Sequence, residues 1–142
     1  MKKRILTWLL AISMLGSLLT VPAGAAAVTK FSDVSDSYTA TAVETLRLMG
    51  VLDGYSDGTF RPNQNISRAQ FAVMLYRYLK LDANKYESVS LPFADLGQIP
   101  AYALPAAKAL YSEGIISGSE KNGKLYFNPD SSLTRAQAAA MI

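Results

Sequence analysis

Residues 50–70 read Gly50-Val51-Leu52-Asp53-Gly54-Tyr55-Ser56-Asp57-Gly58-Thr59-Phe60-Arg61-Pro62-Asn63-Gln64-Asn65-Ile66-Ser67-Arg68-Ala69-Gln70, and the same landmarks return in order further along the chain. Gly114-Ile115-Ile116-Ser117-Gly118 answers residues 50–54, Phe127-Asn128-Pro129-Asp130 answers residues 60–63, and Leu133-Thr134-Arg135-Ala136-Gln137 answers residues 66–70. Upstream, Phe31-Ser32-Asp33-Val34 pairs with Phe93-Ala94-Asp95-Leu96. An internal repeat of this kind governs the fold, because each unit buries its apolar face against a neighbour. The offset between copies grows from 62 to 64 to 67 residues. The second copy has therefore gained residues before Tyr102 and again around Lys121 to Lys124, both in expected loops, where length costs little.

Within each copy the pattern reads helix, glycine-bounded loop, helix. Ala42, Val43, Leu46 and Met49 recur at helical spacing, with Gly50 following where a helix stop is wanted. Phe71, Met74, Leu75, Tyr78 and Leu79 form a second stripe, with Arg77 and Lys80 turned toward water. Such stripes are read as core. The fold class expected is all-α, helix-loop-helix repeats. The first copy covers residues 31–80, a linker 81–92, and the second copy 93–142. Ile142 aligns with Leu75, so the second copy stops short of the counterparts of Tyr78 and Leu79.

Fifty per cent hydrophobic and 18% charged residues in 142 describe a folded chain with a modest core. The formal net charge is +3, and Lys2, Lys3 and Arg4 account for it; the remainder has eleven basic and eleven acidic side chains. Bulk charge thus gives no reason to expect nucleic acid. The basic start, the apolar stretch from Ile5 to Leu19 and the small residues Ala23 to Ala27 have the order of a secretory signal peptide. It is expected over residues 1–25, with a short linker 26–30. Thr7, Ser13, Gly16 and Ser17 interrupt the apolar run, which argues against a retained membrane span. There is no cysteine and no histidine. Disulfides, cysteine-ligated metal, and the commonest general base are therefore excluded.

The acidic, glycine-rich stretch from Asp53 to Phe60 invites a calcium-loop reading, which fails on the ligand rule. Tyr55 stands where an oxygen ligand is needed and Gln64 replaces the terminal bidentate glutamate. Glu44, Glu87, Glu113 and Glu120 show no pairing that singles out an acid and a nucleophile. No catalytic residue, cofactor or metal is expected, and the chain is read as a non-enzyme.

Ser67-Arg68-Ala69-Gln70 and Thr134-Arg135-Ala136-Gln137 are capping boxes: Ser67 and Thr134 start a helix, and Gln70 and Gln137 reach back to it. The box leaves the arginine unexplained. A cation in the first turn opposes the helix dipole at a cost of about 0.3 to 1 kcal/mol. Two explanations stand. Arg68 and Arg135 form a carboxylate or phosphate receptor beside the N–H groups of a helix start, or they pair with an internal carboxylate such as Asp33 or Asp95.

The order Phe-x-Asp-Val, aromatic, helix, Gly-Val/Ile-x-x-Gly, Gly-x-Phe-x-Pro, then Ile-Thr-Arg-Ala-Glu, resembles the S-layer homology motif of bacterial surface proteins over residues 31–80 and 93–142, with Gln70 and Gln137 standing in place of the motif glutamate. The resemblance implies three repeats in a pseudo-threefold spindle, of which two are present, the second incomplete. It implies non-covalent binding to a secondary cell wall polysaccharide bearing ketal-linked pyruvate, or to peptidoglycan, after secretion to the wall or S-layer surface. By motif position, Arg68 and Arg135 would contact the pyruvate carboxylate in grooves between repeats. Asp33 and Asp95 would support the groove or the repeat junction, and Gly54 and Gly118 the loop. Tyr38 and Tyr102 occupy the usual tryptophan position, where a ring could stack on sugar. The chain would anchor an exported protein; alternatives are the anchor of a surface polysaccharide hydrolase whose catalytic domain lies elsewhere, or a lattice subunit. Unfilled repeat faces also predict self-association.

Overall fold

The computed structural model describes residues 30–141. The leader expected over residues 1–25, and most of the linker after it, lie outside the described residues. Helix α1 spans Ser37–Leu48, α2 Arg68–Tyr78, α3 Leu104–Ser112 and α4 Arg135–Ala139. Asp36 caps α1 by accepting from the N–H groups of Tyr38 and Thr39 at 3.1 and 2.8 Å, which satisfies two donors that a helix start leaves open. Short 3-10 turns lie at Ala83–Tyr86, Leu96–Gln98 and Ala101–Ala103. Among the described residues no helix is long and apolar enough to cross a membrane.

The all-α expectation is wrong. Strands β1 (Ser119–Lys121) and β2 (Lys124–Tyr126) form an antiparallel hairpin, with Glu120 opposite Leu125. It occupies the loop insertion of the second copy. The physical reason is the turn: Asn122 and Gly123 both adopt positive φ, 54° and 71°, the geometry of a two-residue connection that matches strand twist. An Asn-Gly pair between short extended runs carried this signal in the sequence. The fold is therefore mixed.

The packing unit also differs from the sequence unit. Ala69, Ala72 and Leu75 of α2, in the first copy, share a core with Phe93, Ala103, Ala107, Leu110, Ile116 and Phe127 of the second. A smaller cluster, Phe31, Val34, Ala40, Val43 and Leu52, remains in the first copy, with Leu46, Phe60 and Met74 against it. Small side chains carry the α2–α3 contact, which explains a second departure from the expected stripes. Ala69 and Ala72 are fully buried, whereas Tyr78 and Leu79 are exposed, and so is Met49. Alanine lets two helices approach closely, and of the larger stripe residues Leu75 joins that core while Tyr78 and Leu79 are left at its margin.

Candidate functional site

Each copy fastens its opening segment to its loop in the same way. Asp33 accepts from the N–H groups of Phe60 and Arg61 at 2.7 and 2.6 Å. Asp95 accepts from Phe127 and Asn128 at 2.8 and 2.7 Å. The Phe60 amide hydrogen bond, foremost, holds the Asp33 carboxyl below its ordinary range. Gly54 and Gly118 lie under the opening phenylalanines, at φ 74° and 80°. A Cβ on Gly54 would sit 2.0 Å from Cε1 of Phe31, and one on Gly118 2.6 Å from Cε1 of Phe93. Only glycine fits that approach. The rings beyond are paired alike, Phe31–Phe60 and Phe93–Phe127 each with centroids 5.7 Å apart.

Ser67 and Gln70, and again Thr134 and Gln137, form reciprocal capping boxes. At α2 the other donors are occupied too. The N–H of Arg68 donates to Ser131 O and that of Ala69 to Pro129 O, both at 2.9 Å, and that of Gln70 to Ser67 Oγ at 3.2 Å. The start of α2 is thus stitched to the second copy by main-chain bonds, with Leu133 N–H to Ile66 O completing the seam at 3.3 Å. The open N–H groups expected beside Arg68 are not there, because the repeat junction uses them.

The Arg68 side chain is left by itself. Its guanidinium lies over the Phe127 ring, 5.8 Å from the centroid, and Nε is buried with no hydrogen-bond partner. Among the described residues no carboxylate comes within ion-pair distance of it. Burial pushes its pKa below the usual arginine value, and the more distant charge of Asp95 opposes that shift. The internal salt bridge considered from spacing is therefore replaced by ring stacking and long-range attraction. A guanidinium so placed has donor capacity to offer an anion.

A groove of about 470 Å³ runs between the first loop and α2, lined by Asp53, Gly54, Tyr55, Arg61 and Arg77 among others, with Tyr102 of the second copy at its edge. Tyr102 reaches it across the repeat boundary with 60% of its surface exposed. Gln70 also lines it, and Arg68 does not. Tyr38 lies apart, 84% exposed at the start of α1. Sequence reasoning missed Arg61 and Arg77. Arg61 stacks on Tyr55 at 3.9 Å and pairs with Asp57 at 2.9 Å; Arg77 pairs with Asp53 at 2.6 Å. Hydrogen bonds from Thr59 and Arg61 lower the Asp57 carboxyl to about 2. The signal available was the residue type: Arg61 takes φ 61° where its counterpart Asn128 takes 56°, a conformation more natural to asparagine.

The model of the S-layer homology domain matches residues 30–72 and 92–139, and this chain belongs to that family. An endoglucanase of Bacillus sp. (strain KSM-635) is 36% identical over 98% of this chain and 15% of its own length. Endo-1,4-beta-xylanase A of Thermoanaerobacterium saccharolyticum is 34% identical over 75% of this chain and 9% of its own length. A cellulosome-anchoring protein of Acetivibrio thermocellus is 32% identical over 79% and 25%. The chain thus spans a quarter or less of each of these relatives. No solved structure gives a significant match. The shared segment is a module of cell-surface proteins.

Proposed function

We propose that this chain holds an exported protein on the bacterial cell wall by non-covalent binding of a wall polysaccharide bearing ketal-linked pyruvate, with Arg68 meeting the carboxylate. The observation that carries this reading is the buried, unpartnered Nε of Arg68 at the repeat junction. A half-buried cation with no carboxylate beside it is electrostatically incomplete, and an incoming anion would offset that cost. Tyr102 and the groove beside it offer an exposed ring and polar edges suited to sugar. The second copy would use Arg135 in the same role by motif position. Peptidoglycan, which also carries carboxylates, is the competing wall partner. Because relatives include an endoglucanase and a xylanase, a polysaccharide hydrolase is the cargo this reading favours, with a lattice subunit as the other.

Fractionation on purified walls tests it. Arg68→Ala should lose about 2 to 5 kcal/mol of binding, the range for truncating one partner of a buried charge-assisted pair. Arg68→Lys keeps charge but not the fork and should fall between Ala and wild type. Mild acid removal of pyruvate from the walls should erase the difference between the three. Equal retention of a folded Arg68→Ala on untreated walls would sink the assignment. Assaying the same wall-bound fraction for glucan or xylan hydrolysis decides whether the cargo is an enzyme.

A further inference from the structure

Arg68 is held at both ends by one short segment of the second copy. Its N–H donates to Ser131 O and the next N–H, of Ala69, to Pro129 O, both at 2.9 Å, so the main chain at the start of α2 is fixed against residues 129–131. Its guanidinium lies over the ring of Phe127, two residues earlier in that segment, 5.8 Å from the centroid. A turn joins the two attachments, with Asn128 at φ 56° and the N–H of Ser131 donating to Asn128 O at 3.2 Å. The ring is fixed in turn. Phe127 is completely buried and rests against Phe93 with centroids 5.7 Å apart. Its N–H and that of Asn128 are tied to the two carboxylate oxygens of Asp95 at 2.8 and 2.7 Å.

A ring in place of a carboxylate changes what Arg68 can do. A salt bridge would consume guanidinium N–H groups and set a negative charge in the path of an incoming anion. A ring face attracts the cation through its quadrupole and occupies no donor. Asp95 is the carboxylate whose charge reaches Arg68, yet both of its oxygens are engaged by the amides of Phe127 and Asn128. Among the described residues no carboxylate stands within ion-pair distance of the guanidinium, and its Nε has no partner. We infer that Phe127 is a positioning residue for wall-polymer binding: held by Asp95, it keeps the Arg68 guanidinium in place across the repeat boundary while leaving Nε free to donate. This rests on the reading of Arg68 as the contact to the polymer carboxylate, and it adds a residue of the second copy to the site of the first. Restricting a long side chain before the ligand arrives lowers the ordering cost of binding.

The test reads the Arg68 side chain and the binding separately. It uses the full chain, its Arg68→Ala and Phe127→Leu variants, and Leu110→Val, which thins the same core from α3 and leaves the ring in place. NMR of the Arg68 Nε–H should find it shifted by the ring current in wild type and in Leu110→Val, and at an ordinary arginine position in Phe127→Leu. Retention on purified walls should fall about tenfold in Phe127→Leu, the size expected when a partly desolvated cation–π contact is lost, and stay at the wild-type level in Leu110→Val. Walls stripped of pyruvate by mild acid should no longer separate wild type from Phe127→Leu. If the leucine variant does not fold, Phe127→Met, flexible enough to fill the gap, carries the same comparison. Equal losses in Phe127→Leu and Leu110→Val would reduce Phe127 to core packing and overturn the inference. So would an Arg68 resonance that Phe127→Leu leaves unmoved, or wild-type binding by Phe127→Leu where Arg68→Ala binds poorly; in those cases the wall reading survives. Wild-type binding by Arg68→Ala is a different failure, of the wall reading itself, and takes the binding role of Phe127 with it.

Discussion

The two copies carry nearly the same landmarks, yet the second has a sealed core and the first a smaller one whose margin residues are partly exposed. Phe127 and Leu110 are completely buried, while Phe60 and Leu46 are only partly so. The difference does not lie in the residues, which are Phe and Leu in both. It lies in what covers them: α2 of the first copy lies on the second, and no described helix lies in the equivalent place on the first. A repeat unit in this fold is therefore half of a packing unit, and its stability depends on its neighbour more than on its own sequence.

Exchanging the paired phenylalanines strains that comparison most. Phe127→Ala removes a fully buried ring from the shared core and should cost about 3 to 5 kcal/mol. Phe60→Ala removes a partly solvated ring and should cost about 1 to 2 kcal/mol. Urea unfolding of both variants measures the gap, and equal losses would mean that the first core is covered in solution. The paired aspartates come next. Asp95→Asn leaves one of two buried N–H groups facing an amide donor and should cost about 1 to 3 kcal/mol; Asp33→Asn, at the surface, should cost less because water can take over. Thermal melts of the two variants would break the comparison if the order were reversed.

Acid offers the gentlest probe. Asp33 and Asp57, both serving the first loop, are held below their ordinary range by hydrogen bonds from Phe60 and Thr59 respectively. A carboxyl whose folded pKa is depressed contributes stability above the unfolded value of about 3.9, and that contribution is lost as pH falls through the folded value. The first loop should therefore loosen between about pH 4 and about pH 2, the lower limit being the value near which Asp57 titrates. Amide resonances of Phe60, Arg61 and Thr59 followed by NMR should move in that window. If they hold their positions throughout it, these hydrogen bonds do not anchor the loop.

The repeat, its helices and their caps were legible because they are local. A hydroxyl three residues before a glutamine, and apolar residues at helical spacing, need no knowledge of the rest of the chain. The hairpin was equally local: Asn122-Gly123 marks its turn inside the stretch that the sequence pattern assigns only to a loop. The role of Arg68 could not be read in this way. Whether its neighbours were free amides, a carboxylate or a ring depended on the second copy's loop, some sixty residues away in sequence, arriving over the start of α2.

Sequence alone thus determined that two like units exist and where α2 and α4 begin, while the need for glycine at 54 and 118 came from the phenylalanine rings laid over them. Tertiary structure decided which unit is sealed and which stays open, because burial depends on the neighbour laid against a face. It also decided that the amides at the start of α2 serve the junction while the Arg68 guanidinium is left over a ring. Hydrogen-bond partners between distant segments are set by how those segments meet, and spacing along the chain does not encode that.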